Sequence, residues 1–272
     1  MLYSKKQKIS IILFLFAIII LTLFLIKFQL DPIFEESTIN RGVEAYFDIS
    51  NANKTIFYFL ALIIITPNLF TINYFKYKNN SFINLITERI NLKTYTLKIT
   101  VKVFLDSFLF YLLLNVAIIA MIHFTYSPID FTKETLTFIF SPNPFLNFGL
   151  YILFSCIGFG FYNIFLIQMI YIIKNEFMFR AFSLLNFILS LISVIMFKQI
   201  FLQTGLSNEL AGVISSFITP MNLLTPGLLF ECYGLLSFTL SAIFYIALSI
   251  VLWKISYRSM MQNGWYIEKN IY

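Results

Sequence analysis

Apolar residues run along this chain in blocks of about twenty, separated by shorter polar stretches, and that spacing predicts membrane-crossing helices. The first block, Ile9–Ile26, reads ISIILFLFAIIILTLFLI and holds no charge. As a helix at 1.5 Å per residue it reaches roughly 27 Å, enough for a hydrocarbon core. Further blocks lie at Thr55–Phe75, Val101–Phe124, Leu146–Ile173, Ala181–Leu202 and Tyr233–Trp253. Pro67 sits inside the second block, where its missing N–H and its ring predict a kink near Ile63–Pro67. Gly158 and Gly160 fall in the middle of the fourth. Lys5, Lys6 and Lys8 precede the first block and no A-x-A-like site follows it, so it reads as an uncleaved span.

Residues 210–230, LAGVISSFITPMNLLTPGLLF, fit this scheme poorly. Counted as a span, they make seven and move Lys254, Arg258 and Lys269 to the outer side, against the positive-inside rule. Pro220, Asn222, Pro226 and Gly227 would also leave backbone groups unpaired in lipid. A re-entrant helix–turn–helix, dipping in from the outer face and packed on protein, meets both objections. The expected architecture is therefore an all-α integral membrane domain over 1–272 with six spans.

Charge fixes the expected orientation. With six spans and an inside start, fourteen of the nineteen Lys and Arg fall inside. They are Lys5, Lys6, Lys8, the six between Lys76 and Lys102, Lys174, Arg180, Lys254, Arg258 and Lys269. Both termini are thus expected in the cytoplasm. Residues 27–54, with Asp31, Glu35, Glu36, Glu44 and Asp48, and residues 125–145 become outer segments. Composition agrees: 59% of residues are hydrophobic and 12% charged, where soluble domains carry roughly 25% charge. The net charge of +6 is spread around the apolar blocks, which argues for topology signals and against nucleic acid as a partner. Cys156 and Cys232 form no CxxC pair; free packed thiols are expected, and a disulfide between them stays open.

No catalytic or metal-binding constellation stands out, since His123 has no second histidine or nearby acid. The chain has no GxxxxGK[ST] loop, so ATP chemistry would have to come from another subunit. Asp106 lies one turn inside the third block, four residues after Lys102, a spacing that predicts a snorkelling ion pair. Asn115, Asn163, Gln168 and Asn186 are expected to bond between helices. Asp106, Asn115, Asn163 and Gln168 are alternatively candidates for a translocation path. Between the second and third blocks, Phe82, Ile86 and Ile90 recur every four residues, so SFINLITERIN predicts a short amphipathic helix. Its polar face, with Asn84, Thr87, Glu88 and Asn91, either rests on the membrane surface or docks a cytoplasmic partner.

Taken together, ITERINLKTYTLKI at 86–99 and ISSFITPMNLLTPGLLF at 214–230 give a layout that resembles the ABC-2 type permease subunits of bacterial ABC exporters. The first stretch is similar to that family's cytoplasmic coupling segment, the second to its outer re-entrant helices. Eight residues precede the first span, so the interfacial helix many members carry there is expected to be short or missing. The resemblance implies a bacterial cell-membrane protein that pairs with a second permease copy or paralogue and with cytoplasmic ATPase subunits. Those ATPases would hold ATP and magnesium and push on Leu85, Ile86, Thr87, Glu88, Arg89, Asn91 and Lys93. It also implies export of, or self-protection against, an amphipathic or antimicrobial peptide. The competing expectation is a non-transporting immunity or anchor protein that binds a peptide or protein without ATP.

Overall fold

The computed structural model describes residues 5–25, 41–51, 56–79, 91–131, 139–228 and 233–262. Among these residues the secondary structure is helical and no strand occurs. The helices are α1 (Lys5–Leu25), α2 (Arg41–Ser50), α3 (Ile56–Thr66), α4 (Ile72–Asn79), α5 (Leu92–Thr125), α6 (Pro144–Met169), α7 (Glu176–Gln203), α8 (Asn208–Ser215), α9 (Met221–Leu224) and α10 (Gly234–Gln262). Five stretches are long and apolar enough to cross a membrane: Tyr58–Lys78, Leu92–Thr125, Pro144–Met169, Glu176–Gln203 and Gly234–Arg258. Within α1 the apolar stretch Ile11–Phe24 is shorter. The 210–230 region makes no membrane-length helix.

The second apolar stretch runs on through Pro67 without ending. Pro67–Thr71 is one π-helical turn joining α3 to α4, at the C-terminal edge of the expected kink. Proline removes a ladder donor, and a π turn is a common accommodation inside a helix. Asn68 compensates locally, its Nδ2 donating to the Ile64 carbonyl at 3.1 Å.

Two boundaries differ from the sequence reading. α5 starts at Leu92, well before Val101, because Asn91 caps it by accepting from the Lys93 amide at 2.9 Å. Leu92, Tyr95, Thr96, Ile99 and Val103 are buried at helical spacing, while Lys93 and Lys98 face outward. At 34 residues the helix is roughly 51 Å long, about 20 Å more than a hydrocarbon core of about 30 Å requires. The second difference is α2. Residues 27–54 read as a polar outer segment, yet Val43, Ala45, Tyr46, Phe47 and Ile49 are buried against α3 and α5. Tyr46 and Phe47 meet Phe148 and Tyr151 of α6 edge-on, at ring separations of 4.9 to 6.0 Å. These edge-on contacts hold α2 against α6, packing that the sequence reading of 27–54 as an outer segment did not include.

α5 and α6 form the central pair, and α10 packs against α6. α7 lies at the edge, burying only Phe179, Ser183, Phe187 and Ser190. The opposite faces are apolar and open: Leu97, Val101, Leu105, Leu109 and Leu113 make a four-residue stripe along α5. Leu185, Ile188, Ile192 and Ile195 do the same on α7. Exposed apolar stripes of this length suit lipid contact. In lipid, helices associate through close packing and hydrogen bonds, which favours small side chains at the seams. Accordingly Ser237, Ser241, Ser249 and Ser256 are buried along one side of α10, and Tyr162 meets Ser183 Oγ at 2.7 Å across the α6–α7 seam.

Candidate functional site

The most unusual backbone in the protein is the broken segment 208–228. Ser207 starts it by accepting from the Leu210 amide at 3.3 Å. α8 then runs eight residues, tightens into a 3-10 turn at Ser216–Ile218 and stops before Pro220, after which α9 lasts one turn. Each interruption frees carbonyls that, buried in protein, need a partner other than bulk water. Side chains take them up. Tyr245 of α10 donates to the Ile218 carbonyl at 2.7 Å, and Tyr111 of α5 donates to the Leu224 carbonyl at 3.4 Å. Asn222 Nδ2 ties the two halves together, donating to Ser216 O at 3.0 Å and Ser216 Oγ at 2.8 Å. Asn222, Leu223, Leu224 and Thr225 are all buried, as a segment packed on protein requires.

Glycine makes this packing possible at two points. A Cβ on Gly158 of α6 would lie 1.9 Å from the Leu223 carbonyl oxygen, so backbone meets backbone there. Gly227 turns the chain out of the segment at φ +79°, a conformation side chains resist. α5, α6 and α10 thus each contribute one contact that holds the broken segment in place.

The same three helices are linked again near the basic end. Trp253 Nε1 of α10 donates to Thr96 Oγ1 of α5 at 3.2 Å, and Gln168 Nε2 of α6 donates to Thr100 Oγ1 at 3.3 Å. A second cluster joins α3, α4, α6 and α7 at this end. Arg180 bonds Glu176 one turn back and also donates from Nη1 to Asn68 Oδ1 in the π turn at 2.9 Å. Lys76 approaches Glu176 at 3.8 Å. Lys78 is buried, its ammonium donating to the Ile170 carbonyl at the end of α6 at 2.6 Å, where the helix dipole favours a cation. Arg180 and Lys78, read from sequence as topology charges, are therefore also structural ties. Arg180 lies four residues after Glu176, which is the one signal that was visible.

The sequence-derived candidates divide into three groups. Leu85, Ile86, Thr87, Glu88 and Arg89 lie outside the described residues. Asn91 caps α5, and Lys93 is exposed on its first turn. The remaining candidates sit inside the bundle. Lys102 Nζ and Asp106 Oδ2 are 3.7 Å apart and partly exposed, as the four-residue spacing predicts. Asn115 bridges helices: its Oδ1 accepts from Tyr46 at 2.8 Å and its Nδ2 lies 3.7 Å from Cys156 Sγ. Asn163 bonds only its own helix, to Phe159 O at 2.9 Å, among the described contacts. Asn186 reaches the Tyr245 hydroxyl at 3.5 Å.

These polar groups form successive layers along α6 and do not converge. Asn163 lies seven residues beyond Cys156, roughly 10 Å along the axis, and Gln168 lies five further on. Two layers keep a buried acceptor without a partner among the described residues, Asn163 Oδ1 and Gln168 Oε1. His123 Nδ1 accepts from the Ile129 amide at 3.1 Å and so holds the turn after α5. Cys156 is buried as a free thiol. Among the described residues no group of three or more His, Cys, Asp or Glu could hold a metal ion. No protein-family model matches this chain, and neither does any curated protein or solved structure.

Proposed function

We propose that the chain is the permease subunit of an ATP-driven exporter of amphipathic or antimicrobial peptides. In this reading it has six spans and both termini on the cytoplasmic face of a bacterial cell membrane. The segment 208–228 enters from the opposite face as a re-entrant hairpin, and 85–93 forms the coupling helix. The observation that carries the proposal is the double linkage of α5, α6 and α10. Trp253–Thr96 and Gln168–Thr100 tie them within the first three turns of α5, immediately after the coupling segment. Tyr111, Gly158 and Tyr245 then tie the same helices to the broken segment. Broken helices packed in protein are where transporters build their paths. A push on 85–93 from an ATP-hydrolysing partner therefore has a rigid route to that region.

Copurification from native membranes tests the proposal. The chain is expected to bring down a nucleotide-binding subunit, and changing Glu88→Ala with Arg89→Ala is expected to weaken that association. An intact complex with unchanged transport-coupled ATPase activity after the double change would count against it. Peptide protection that persists when every ATPase partner is removed would favour the immunity-protein reading instead.

A further inference from the structure

A cleft of about 320 Å³ opens between α5, α6 and α10 at the basic end of the bundle. Leu97, Phe161, Ile164, Ile246, Ile250 and Trp253 line it, with Thr100, Gln168 and Ser249 among them. The indole is held in place by its bond to Thr96. This volume is at the lower end for a ligand site, and the surface it presents is almost wholly carbon. The cleft also opens sideways: Leu97 is 65% exposed and continues into the open stripe through Val101 and Leu105. An occupant therefore enters from the lipid side.

Cations lie one to two turns beyond the cleft on both helices. Lys93 stands one turn before Leu97 on α5, while Lys254 and Arg258 stand one and two turns after Ile250 on α10. The Trp253–Thr96 bond brings these two helix ends together. All three side chains are exposed, and among the described residues none of them forms an ion pair. An apolar slot flanked by three exposed cations that form no ion pair among the described residues matches a molecule with a hydrocarbon tail and an anionic head.

We infer that this cleft seats one acyl chain of an anionic phospholipid, with the phosphate held by Lys93, Lys254 and Arg258. The inference needs only a membrane location and does not depend on the transport reading. Trp253 is its built-in reporter, because the chain has one other tryptophan, Trp265. The full-length Trp265→Phe protein is reconstituted in phosphatidylcholine vesicles containing a fixed fraction of brominated lipid. That lipid is either phosphatidylglycerol or phosphatidylcholine. Brominated phosphatidylglycerol is expected to quench Trp253 the more strongly, and each cation removed should cost about fivefold in that preference. The Lys93→Gln, Lys254→Gln and Arg258→Gln triple change should make the two lipids equal, while Ile250→Phe, which fills the slot, should reduce quenching by both. Equal quenching by the two lipids in the unaltered cleft overturns the inference, since a non-selective lipid-facing groove or a peptide seat would give that result. Retained preference in the triple variant overturns the assignment of the cations.

Discussion

The carbonyl oxygen of Leu223 occupies the space where Gly158 would carry a side chain, with only 1.9 Å between that oxygen and an added Cβ. Neither neighbour can yield cheaply, because both sides of the contact are main chain. Gly158→Ala is expected to destabilise the protein by about 1–3 kcal/mol, the usual cost of overpacking. Gly149 on the same helix is the control, since nothing lies within 4 Å of its added Cβ. Gly149→Ala should be neutral or mildly stabilising, because alanine favours the helix. Thermal unfolding of both variants in one detergent checks the contrast, and equal melting temperatures would show that the Gly158 contact carries no weight.

The two tyrosines on the broken segment should not count equally. Tyr245 donates to Ile218 O at 2.7 Å, whereas Tyr111 reaches Leu224 O at 3.4 Å, near the limit of a hydrogen bond. Removing only the hydroxyl leaves the ring packing intact. Tyr245→Phe is expected to cost about 0.6 to 1.7 kcal/mol, the range found for hydrogen bonds between membrane helices. Tyr111→Phe should cost less. Hydrogen exchange at 216–224 is the sharper measurement: it should quicken in Tyr245→Phe and change little in Tyr111→Phe.

The long apolar helices were legible because a hydrocarbon core imposes a length on each apolar block. The broken backbone within 208–228 was foreseeable from Pro220, Asn222, Pro226 and Gly227, together with the charge count that spoke against a seventh span. The clamp on it was not, because which tyrosine meets which carbonyl depends on the relative rotation of α5 and α10. The spacing Ser237, Ser241, Ser249, Ser256 could have marked the packed face of α10 in advance, as small residues recur at membrane-helix seams. α2 was not foreseen as a packed helix: Arg41, Glu44 and Asp48 dominate its composition, yet Val43, Tyr46, Phe47 and Ile49 make one apolar face. Charge content hid an amphipathic period. The Lys102–Asp106 pair was legible because a four-residue spacing is local information; Asn115 bonds between helices as expected, but its partners Tyr46 and Cys156 are far away in sequence and were not foreseen.

Arg180 and Asn68 provide the last test, because their bond joins a proline-distorted helix to the start of another. Arg180 satisfies Glu176 within α7, so its remaining arm is free to reach Asn68 Oδ1 at 2.9 Å. Asn68 in turn spends its amide on Ile64 O at 3.1 Å, the carbonyl at the edge of the π turn. The chain Glu176–Arg180–Asn68–Ile64 therefore couples the first turn of α7 to the distortion at Pro67. Both partners are partly exposed, which limits the energy, and a double-mutant cycle with Arg180→Ala and Asn68→Ala is expected to return a coupling of about 0.5 kcal/mol. Arg180→Lys should keep the attraction to Glu176 but lose most of that coupling, because an ammonium lacks the planar fork that serves two acceptors at once. If lysine preserves the full coupling, charge alone holds the two helices and the forked geometry is incidental.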